Sequence, residues 1–260
     1  VVPITPMVYD LMAVHDWYGS PTDANTGDST FTFTDPDQIQ TLIDSEGTDT
    51  IDLSGMEQKS IVDLTPGAYS SLGYWSEADQ VSHWAFTIGI SSATVQSVYD
   101  IYTPISSSGP NISGGYTRSG GLYERQDNLG IAEGTIIKNV VGSAGDDEIT
   151  GNTAGNTITG NAGNDIIDGG DGSDTAVFRG DIADYTIVDN GDGTRTVTDS
   201  VAGRDGMDTL SNVENLRFAD SGYDVAAGRS VGDANYRGGS NGGGVSNVYY
   251  SAFNRVDLSS

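Results

Sequence analysis

The sequence contains no cysteine and very few basic residues. Eleven Lys and Arg residues stand against 37 Asp and Glu residues, and the formal net charge is −26. A phosphate backbone would repel so acidic a chain, which excludes nucleic acid as a partner. Much of the negative charge has to be neutralised before the chain can become compact. The missing cysteines exclude disulfides but leave the redox compartment open, because reduced proteins also manage without them.

Long apolar runs are missing as well. No stretch of about eighteen apolar residues occurs, so no transmembrane segment is expected. The N-terminal residues show no signal-peptide pattern. The chain begins with Val1, Val2 and Pro3 rather than with methionine, as expected of a processed product or a fragment. Its 260 residues are enough for one large domain or two modest ones.

Histidine is nearly absent, which bears on catalysis. The only two, His15 and His83, lie outside any H-E-x-x-H pattern, in which two histidines one helical turn apart bind zinc and the glutamate activates a water molecule. No Ser–His–Asp or Cys–His grouping can be proposed either. Both histidines are expected to be packed or surface residues, and we predict that this chain alone is not an enzyme and has no catalytic residues.

Glycine, by contrast, is abundant and periodic. Each unit of a nine-residue repeat is a variant of G-G-x-G-x-D-x-U-x, where U is a large apolar residue, and Ile149, Ile158 and Ile167 all occupy position eight. The first six residues suit a tight turn whose carbonyls point at an ion, and the last three suit a short strand. A flexible Gly/Asn/Asp-rich linker would have the same composition, but it would not keep a strict phase. The pattern predicts a parallel β-roll that binds Ca2+. The four units are residues 142–150, 151–159, 160–168 and 169–177.

Two nonapeptides make one turn of such a roll, so the loops of units one and three stack on one side and those of units two and four on the other. A stacked pair can supply the roughly six to eight oxygens that Ca2+ prefers. We expect the pair with Asp147 and Asp165 to bind more tightly than the pair with Asn156 and Asp174. Unit four is expected to end the roll, because Ala176 replaces the large apolar residue. The predicted roll ligands are Gly142, Ala144, Gly145, Asp147, Gly151, Asn156, Gly160, Ala162, Gly163, Asp165, Gly169, Asp171, Gly172 and Asp174.

The rest of the chain reads as mostly β. Residues 5–18 have apolar side chains at helical spacing, with Thr5 as N-cap and Gly19 as the residue that ends the helix. They are the only helix predicted. Long surface loops are expected at 106–121 and a poorly packed tail from 226. The predicted fold is a parallel β-roll in a sandwich-like C-terminal domain, with one N-terminal helix. The predicted strands are 29–33, 49–53, 81–90, 175–178, 185–188 and 194–198, the last two joined by a hairpin turn at 190–193.

Several segments follow one another along the chain: residues 5–14 with 17–19, then 26–29, 48–55, 131–139 and the roll. In that order they resemble the C-terminal calcium-binding domain of the serralysin family of secreted zinc metalloproteases, and the first resembles the helix that closes the family's protease domain. With the gaps between them, the resemblance covers residues 3–60 and 125–177. It implies a helix at 1–20 and a serralysin-like C-terminal domain at 21–177, without the catalytic zinc domain.

The end of the chain departs from that family. Residues 178–225 resemble modules found behind calcium repeats in other type I secreted proteins, and this resemblance implies a β module that caps the roll. Residues 226–260 form the Gly/Ser/Asn-rich tail, and its last six residues, 255–260, are a candidate export signal.

The serralysin resemblance also implies a second calcium site upstream of the roll. The alternative is that Asp44 and Asp49 are solvated turn residues. A neighbouring site of the family has a glutamate where this chain has Lys138; an ammonium group cannot coordinate Ca2+, so no ion is predicted there. The upstream ligands implied are the carbonyls of Asn25, Gly27, Ser29 and Glu46 and the side chains of Asp44 and Asp49.

These observations predict a secreted, extracellular domain that folds when it meets calcium, after export through a bacterial type I secretion apparatus. A catalytic protease domain is a further candidate partner. The rival hypothesis is a standalone adhesion module in which the aromatic stretch 69–123 binds carbohydrate or protein. The aromatic residues concerned, which are more often core than contact residues, are Trp75, Trp84, Tyr99, Tyr102 and Tyr116.

Overall fold

The computed structural model describes residues 25–102, 125–226 and 228–231, together with Met7, Tyr9 and Leu11. Its described part is dominated by short strands. Two α-helices, α1 (Glu77–Ile88) and α2 (Ser92–Tyr102), and a 3-10 helix (Ile182–Asp184) accompany them. The strands are β1 (Thr30–Thr32), β2 (Gln40–Leu42), β3 (Thr50–Asp52), β4 (Ile61–Asp63), β5 (Tyr69–Ser70), β6 (Leu129–Ile131), β7 (Asn139–Val141), β8 (Glu148–Thr150), β9 (Thr157–Thr159), β10 (Ile166–Asp168), β11 (Thr175–Val177), β12 (Tyr185–Asp189), β13 (Thr194–Asp199), β14 (Met207–Ser211), β15 (Asn215–Arg217), β16 (Gly222–Asp224) and β17 (Arg229–Val231).

The strands form two main sheets between which the chain alternates. The first sheet has the order β1-β3-β7-β9-β11-β15-β16-β17 and the second the order β12-β13-β14-β10-β8-β4. From β7 to β11 each strand belongs to the sheet that the previous strand does not, and successive strands within a sheet pair in parallel. This is the predicted parallel β-roll, and the prediction of a mostly β fold is confirmed.

The core of the roll is built by position eight of each nonapeptide. Ile149, Ile158 and Ile167 are each 1% exposed, and they share one apolar cluster with Ala176 and with side chains upstream and downstream of the repeats. A three-residue strand has only its middle side chain to place inside, so one large apolar residue every nine positions is sufficient to mark the core face. The small Ala176 does not end the roll, because β15 pairs in parallel with β11 and adds Leu216 beside it.

The predicted strands at 29–33, 49–53, 175–178, 185–188 and 194–198 are present as β1, β3, β11, β12 and β13. The predicted strand at 81–90 is wrong, because these residues lie mostly in α1. Ser76 caps this helix by accepting a hydrogen bond from the Asp79 N–H, and Gly89 ends it in the left-handed conformation with φ of 70°. Val81 and Ala85 are one helical turn apart. The prediction of a strand treated the segment as one continuous apolar run.

The two helices lie outside the core of the roll. Their buried side chains, Val81, Ala85 and Val95, form a small cluster of their own, while Phe86 is 90% exposed. The long loops predicted at 106–121 lie outside the described residues.

Both ends of the chain are described only in part. Tyr9 and Leu11 are helical, as predicted, and the Leu11 N–H donates to the Met7 carbonyl at 3.1 Å; the rest of the 5–18 helix lies outside the described residues. Near the other end, β17 pairs with β16 and extends the first sheet beyond residue 226. The remainder of the predicted tail and the candidate export signal at 255–260 lie outside the described residues.

Candidate metal centre

The predicted ligands lie in loops that stack at the two edges of the roll, one full turn apart. On one edge, the Asp147 N–H donates to Asp165 Oδ1 at 2.8 Å, and the Ser60 N–H donates to Asp147 Oδ1 at 2.6 Å. Each position-six carboxylate therefore accepts a hydrogen bond from the backbone one turn earlier. This contact keeps the two carboxylates stacked and places both of them between loops rather than in solvent.

Glycines keep the space between these loops open. A Cβ atom on Gly142 would lie 2.5 Å from the Gly160 carbonyl oxygen and 2.7 Å from Asp147 Oδ2, and one on Gly160 would lie 2.1 Å from Asp165 Oδ2. A side chain is therefore excluded at position one of the repeat. The oxygens that converge there, carbonyl from one loop and carboxylate from another, are the ligands that Ca2+ prefers.

One carboxylate oxygen in each stack has no partner. Asp165 Oδ2 and Asp174 Oδ2 are fully buried and, within the described part of the chain, form no hydrogen bond. A buried anionic oxygen without a partner is costly. A cation would remove that cost, so the residues present fit a bound calcium ion.

The pKa values of the three aspartates reflect their burial. Burial raises the pKa of Asp147 from 3.8 to about 6, although hydrogen bonds from Ser143 and Ser60 oppose the shift. Burial likewise raises the pKa of Asp165 to about 7, and the Asp147 carboxylate adds to that rise. Burial also raises the pKa of Asp174 to about 6. A divalent cation would favour the ionised forms and so lower all three.

The second stack contains the Asn156 substitution. The Asn156 N–H donates to Asp174 Oδ1 at 2.6 Å, so the stacking contact is kept. The Asn156 side-chain amide, however, donates to the carbonyls of Ile137 at 3.1 Å and Lys138 at 3.2 Å. A neutral amide thus replaces a carboxylate and satisfies itself with backbone acceptors, which is the physical reason to expect weaker calcium binding in this stack.

The other predicted roll ligands lie in the same four loops. Gly163 and Gly172 adopt φ of 123° and 127°, which favours glycine, and a Cβ on Gly163 would lie 2.4 Å from the Gly145 carbonyl oxygen. The structure thus places position four of unit three against position four of unit one. The remaining predicted residues of these loops are Ala144, Gly151, Ala162, Gly169 and Asp171.

The upstream candidates also come together. Asp44 and Asp49 are buried, so neither is the solvated turn residue of the alternative hypothesis. The Ser29 N–H donates to Asp49 Oδ1 at 2.9 Å, and the Glu46 N–H donates to Asp44 Oδ1 at 3.2 Å. Asp44 Oδ2 is a third buried oxygen without a hydrogen-bond partner among the described residues. Burial, followed by the nearby Asp49 carboxylate, raises the pKa of Asp44.

Gly27 lies beside Gly47 of the same loop region, because a Cβ on Gly47 would lie 2.7 Å from the Gly27 carbonyl oxygen. Asn25 is exposed, and its side chain donates to the Ile43 carbonyl at 3.1 Å. The Lys138 ammonium donates to the Gly47 carbonyl at 2.6 Å. Lysine therefore already supplies a positive charge to the loop next to Asp44 and Asp49.

Side chains alone do not make a metal centre here. Within residues 25–102, 125–226 and 228–231, no three His, Cys, Asp or Glu side chains gather closely enough to hold an ion. An ion in these loops must therefore take most of its ligands from backbone carbonyls. His83 is exposed on α1 and packs its ring against Trp75 at 5.1 Å between centroids, while His15 lies outside the described residues.

The aromatic stretch of the rival hypothesis is described only in part. Trp75 is half-buried, with the Arg125 guanidinium 5.0 Å from its ring centre. Tyr116 and the side chains of Trp84, Tyr99 and Tyr102 lie outside what the structure describes.

Two acidic residues that the sequence analysis did not count as ligands continue the stacks. The Asp165 N–H donates to Asp208 Oδ1 at 2.9 Å, and the Asp174 N–H donates to Glu214 Oε2 at 2.8 Å. Burial raises the pKa of Asp208 to about 8, and the Asp165 carboxylate adds to the effect. Stacked units of the repeat are eighteen residues apart in the sequence, whereas Asp208 follows Asp165 by more than forty residues. A search at the repeat spacing therefore does not find Asp208.

The comparison with family models agrees with the repeats of the roll. The family model of the RTX calcium-binding nonapeptide repeat matches residues 141–176 in four copies. No curated protein sequence matches the chain. Among solved structures, the extracellular lipase LipA from Serratia marcescens is similar with 19% sequence identity and a TM-score of 0.19, over 36% of this chain and 16% of the lipase chain.

No helix among the described residues has the length and apolar character needed to cross a membrane. The chain carries RTX calcium-binding nonapeptide repeats at residues 141–176, and these repeats imply that it binds Ca2+.

Proposed function

We propose that this chain is the calcium-triggered folding and type I secretion domain of an extracellular, serralysin-like metalloprotease. The observation that carries the proposal is the pair of buried, unpartnered oxygens, Asp165 Oδ2 and Asp174 Oδ2, at the two edges of the roll. Without calcium, these oxygens place unfavourable negative charge where the loops of the roll stack.

Without calcium, little holds the roll together. Most of its strands are three residues long and each buries one apolar side chain, so backbone entropy is barely offset. Buried carboxylates such as Asp147 and Asp165 add desolvation and mutual repulsion. In a cytosol with little free calcium, the repeats would stay unfolded and could pass through a narrow export channel.

Calcium outside the cell would then supply the missing stability, because binding to the folded loops is coupled to folding. We propose Asp147 and Asp165, with carbonyls of their loops, as ligands of the tighter roll ion. Asp174 and the carbonyls of its loop pair would hold a weaker ion beside Asn156. The upstream ion would take Asp44, Asp49 and the carbonyls of Asn25, Gly27, Ser29 and Glu46, as the family resemblance implies.

The serralysin-like origin rests on the ordered segments at 5–19, 26–29, 48–55 and 131–139. Under this proposal, residues 1–20 are the end of a protease domain, residues 21–177 form the calcium domain and residues 178–225 cap it. An H-E-x-x-H region encoded upstream in the source gene would support this origin, and its absence would contradict it. Export through the type I apparatus can be tested by deleting residues 255–260 and comparing secretion with that of the intact chain.

The calcium switch is tested by circular dichroism of the full chain in EDTA and after addition of CaCl2. We expect strand signal to appear with calcium, and we expect Asp147→Asn to need markedly more calcium for the same change. Asp146→Asn is the matched control, since Asp146 is the exposed neighbour in the same loop and accepts the Asn164 N–H at 2.7 Å. Equal strand content in EDTA and in calcium would refute the switch.

A further inference from the structure

The nonapeptide pattern recurs once beyond the four matched units. Residues 203–211 carry Gly203, Gly206, Asp208 and Leu210 at positions one, four, six and eight. The hairpin of β12 and β13 separates this segment from unit four, which interrupts the nine-residue phase of the sequence.

The fold brings residues 203–211 back into register with the repeats. Strand β14 pairs in parallel with β10, and Leu210 is the partner of Ile167 just as Ile149 is on the other side. Leu210 is buried in the same apolar cluster. The loop of residues 203–208 is therefore the next turn of the edge that begins with loops 142–147 and 160–165.

The contacts between loops repeat as well. The Asp165 N–H donates to Asp208 Oδ1 at 2.9 Å, as the Asp147 N–H does to Asp165 Oδ1 at 2.8 Å. A Cβ on Gly206, which has φ of 76°, would lie 1.8 Å from the Gly163 carbonyl oxygen. Gly163 has the same relation to Gly145 in the preceding pair of loops.

The Oδ2 atom of Asp165 forms no hydrogen bond with any described residue. It lies beside its own Gly160, where an added Cβ would lie 2.1 Å from it. Its loop lies between the loops that carry Asp147 and Asp208, because Asp165 Oδ1 accepts the Asp147 N–H and the Asp165 N–H donates to Asp208 Oδ1. Asp165 is 1% exposed and Asp208 is 2% exposed.

Nearby cations do not neutralise this pair. The Arg204 guanidinium donates to Asp199 at 2.6 Å and to Asp184 at 3.0 Å. The Arg179 guanidinium donates to Asp205 at 2.5 Å. Both arginines are thus committed to other carboxylates of the closing module.

We propose that residues 203–208 form, with residues 160–165, a further calcium site whose ligands are Asp165, Asp208 and carbonyls of the two loops. This inference rests on the proposed calcium binding by the roll, because Asp165 would belong to both sites. It gives residues 178–225 a second role, since a bound ion would fasten the closing module to the repeats.

The test is a crystal structure of the full chain grown with CaCl2, with an anomalous difference map recorded at long wavelength. We expect a calcium peak between Asp165 and Asp208 in addition to the peak between Asp147 and Asp165. A peak at the Asp147 loop pair alone would overturn this inference and leave the proposed function intact. Absence of both peaks would overturn both.

Ion counting gives a second measurement. In equilibrium dialysis against CaCl2, Asp208→Asn should lose a bound ion, with wild-type circular dichroism in calcium. Asp189→Asn, on the exposed hairpin, should bind as many ions as the wild type. If folded Asp208→Asn binds calcium with unchanged stoichiometry, the inference is wrong.

Discussion

Replacing Asp165 by asparagine should have opposite effects with and without calcium. In EDTA folding should be less unfavourable for the variant than for the wild type, because it removes a buried carboxylate whose Oδ2 accepts no hydrogen bond from the described residues. In calcium it should be less stable, because a ligand is lost. The chain already has asparagine at this position of the repeat in Asn156, whose side-chain amide donates to the carbonyls of Ile137 at 3.1 Å and Lys138 at 3.2 Å.

The magnitude follows from the pKa of Asp165. Its value of about 7 in the folded protein, against 3.8 ordinarily, means that ionisation disfavours the folded state. A shift of about three pKa units corresponds to about 4 kcal/mol, which is the upper limit of what Asp165→Asn can recover at pH 8. The gain should disappear near pH 4, where the carboxyl group is largely neutral in the folded state and increasingly neutral in the unfolded one.

Circular dichroism at pH 8 and pH 4, in EDTA and in CaCl2, measures these effects as strand content, and urea denaturation in CaCl2 gives the free energy of unfolding. Asp35→Asn is the control, because Asp35 is exposed and its hydrogen bond to the Asp37 N–H at 3.0 Å survives the substitution. A strand content of Asp165→Asn in EDTA at pH 8 that is no greater than that of the wild type would refute the reasoning. So would a stabilisation by calcium as large as that of the wild type.

Three further outcomes are expected. In EDTA the strand content of the wild type should fall as the pH rises from 5 to 8, because the raised pKa values of Asp147 and Asp208, about 6 and about 8, mean that the folded state binds more protons than the unfolded one; a strand content that rises with pH would contradict this. Ile167→Ala should lower the free energy of unfolding in calcium by about 2–5 kcal/mol. Ile166 is 54% exposed in the same strand, so Ile166→Ala should lower it by under about 1 kcal/mol. Equal losses would show that the core face of the strand is misassigned. Gly160→Ala should abolish the calcium response in a titration, because its Cβ would lie 2.1 Å from Asp165 Oδ2, and unchanged calcium affinity would show that this space is not the ion site.

Local features of the sequence were sufficient for the roll itself. The nine-residue phase sets the turn at residues such as Gly163 and the inward side chain at Ile167, because both depend only on conformation within one repeat. The error at 81–90 also concerns local features. The apolar segment was predicted as a strand, although its caps at Ser76 and Gly89 and the spacing of Val81 and Ala85 are those of a helix.

The sequence by itself determined which residues turn, which face inward and that calcium is the ion, since each follows from short-range spacing and residue chemistry. Only the tertiary structure decided which loops meet. Asp208 joins Asp165 through the parallel register of β14 with β10, across a hairpin that has no fixed length in the repeat pattern. Burial of Asp44 and the unpartnered oxygens of Asp165 and Asp174 are likewise properties of packing between distant segments, and no local pattern contains them.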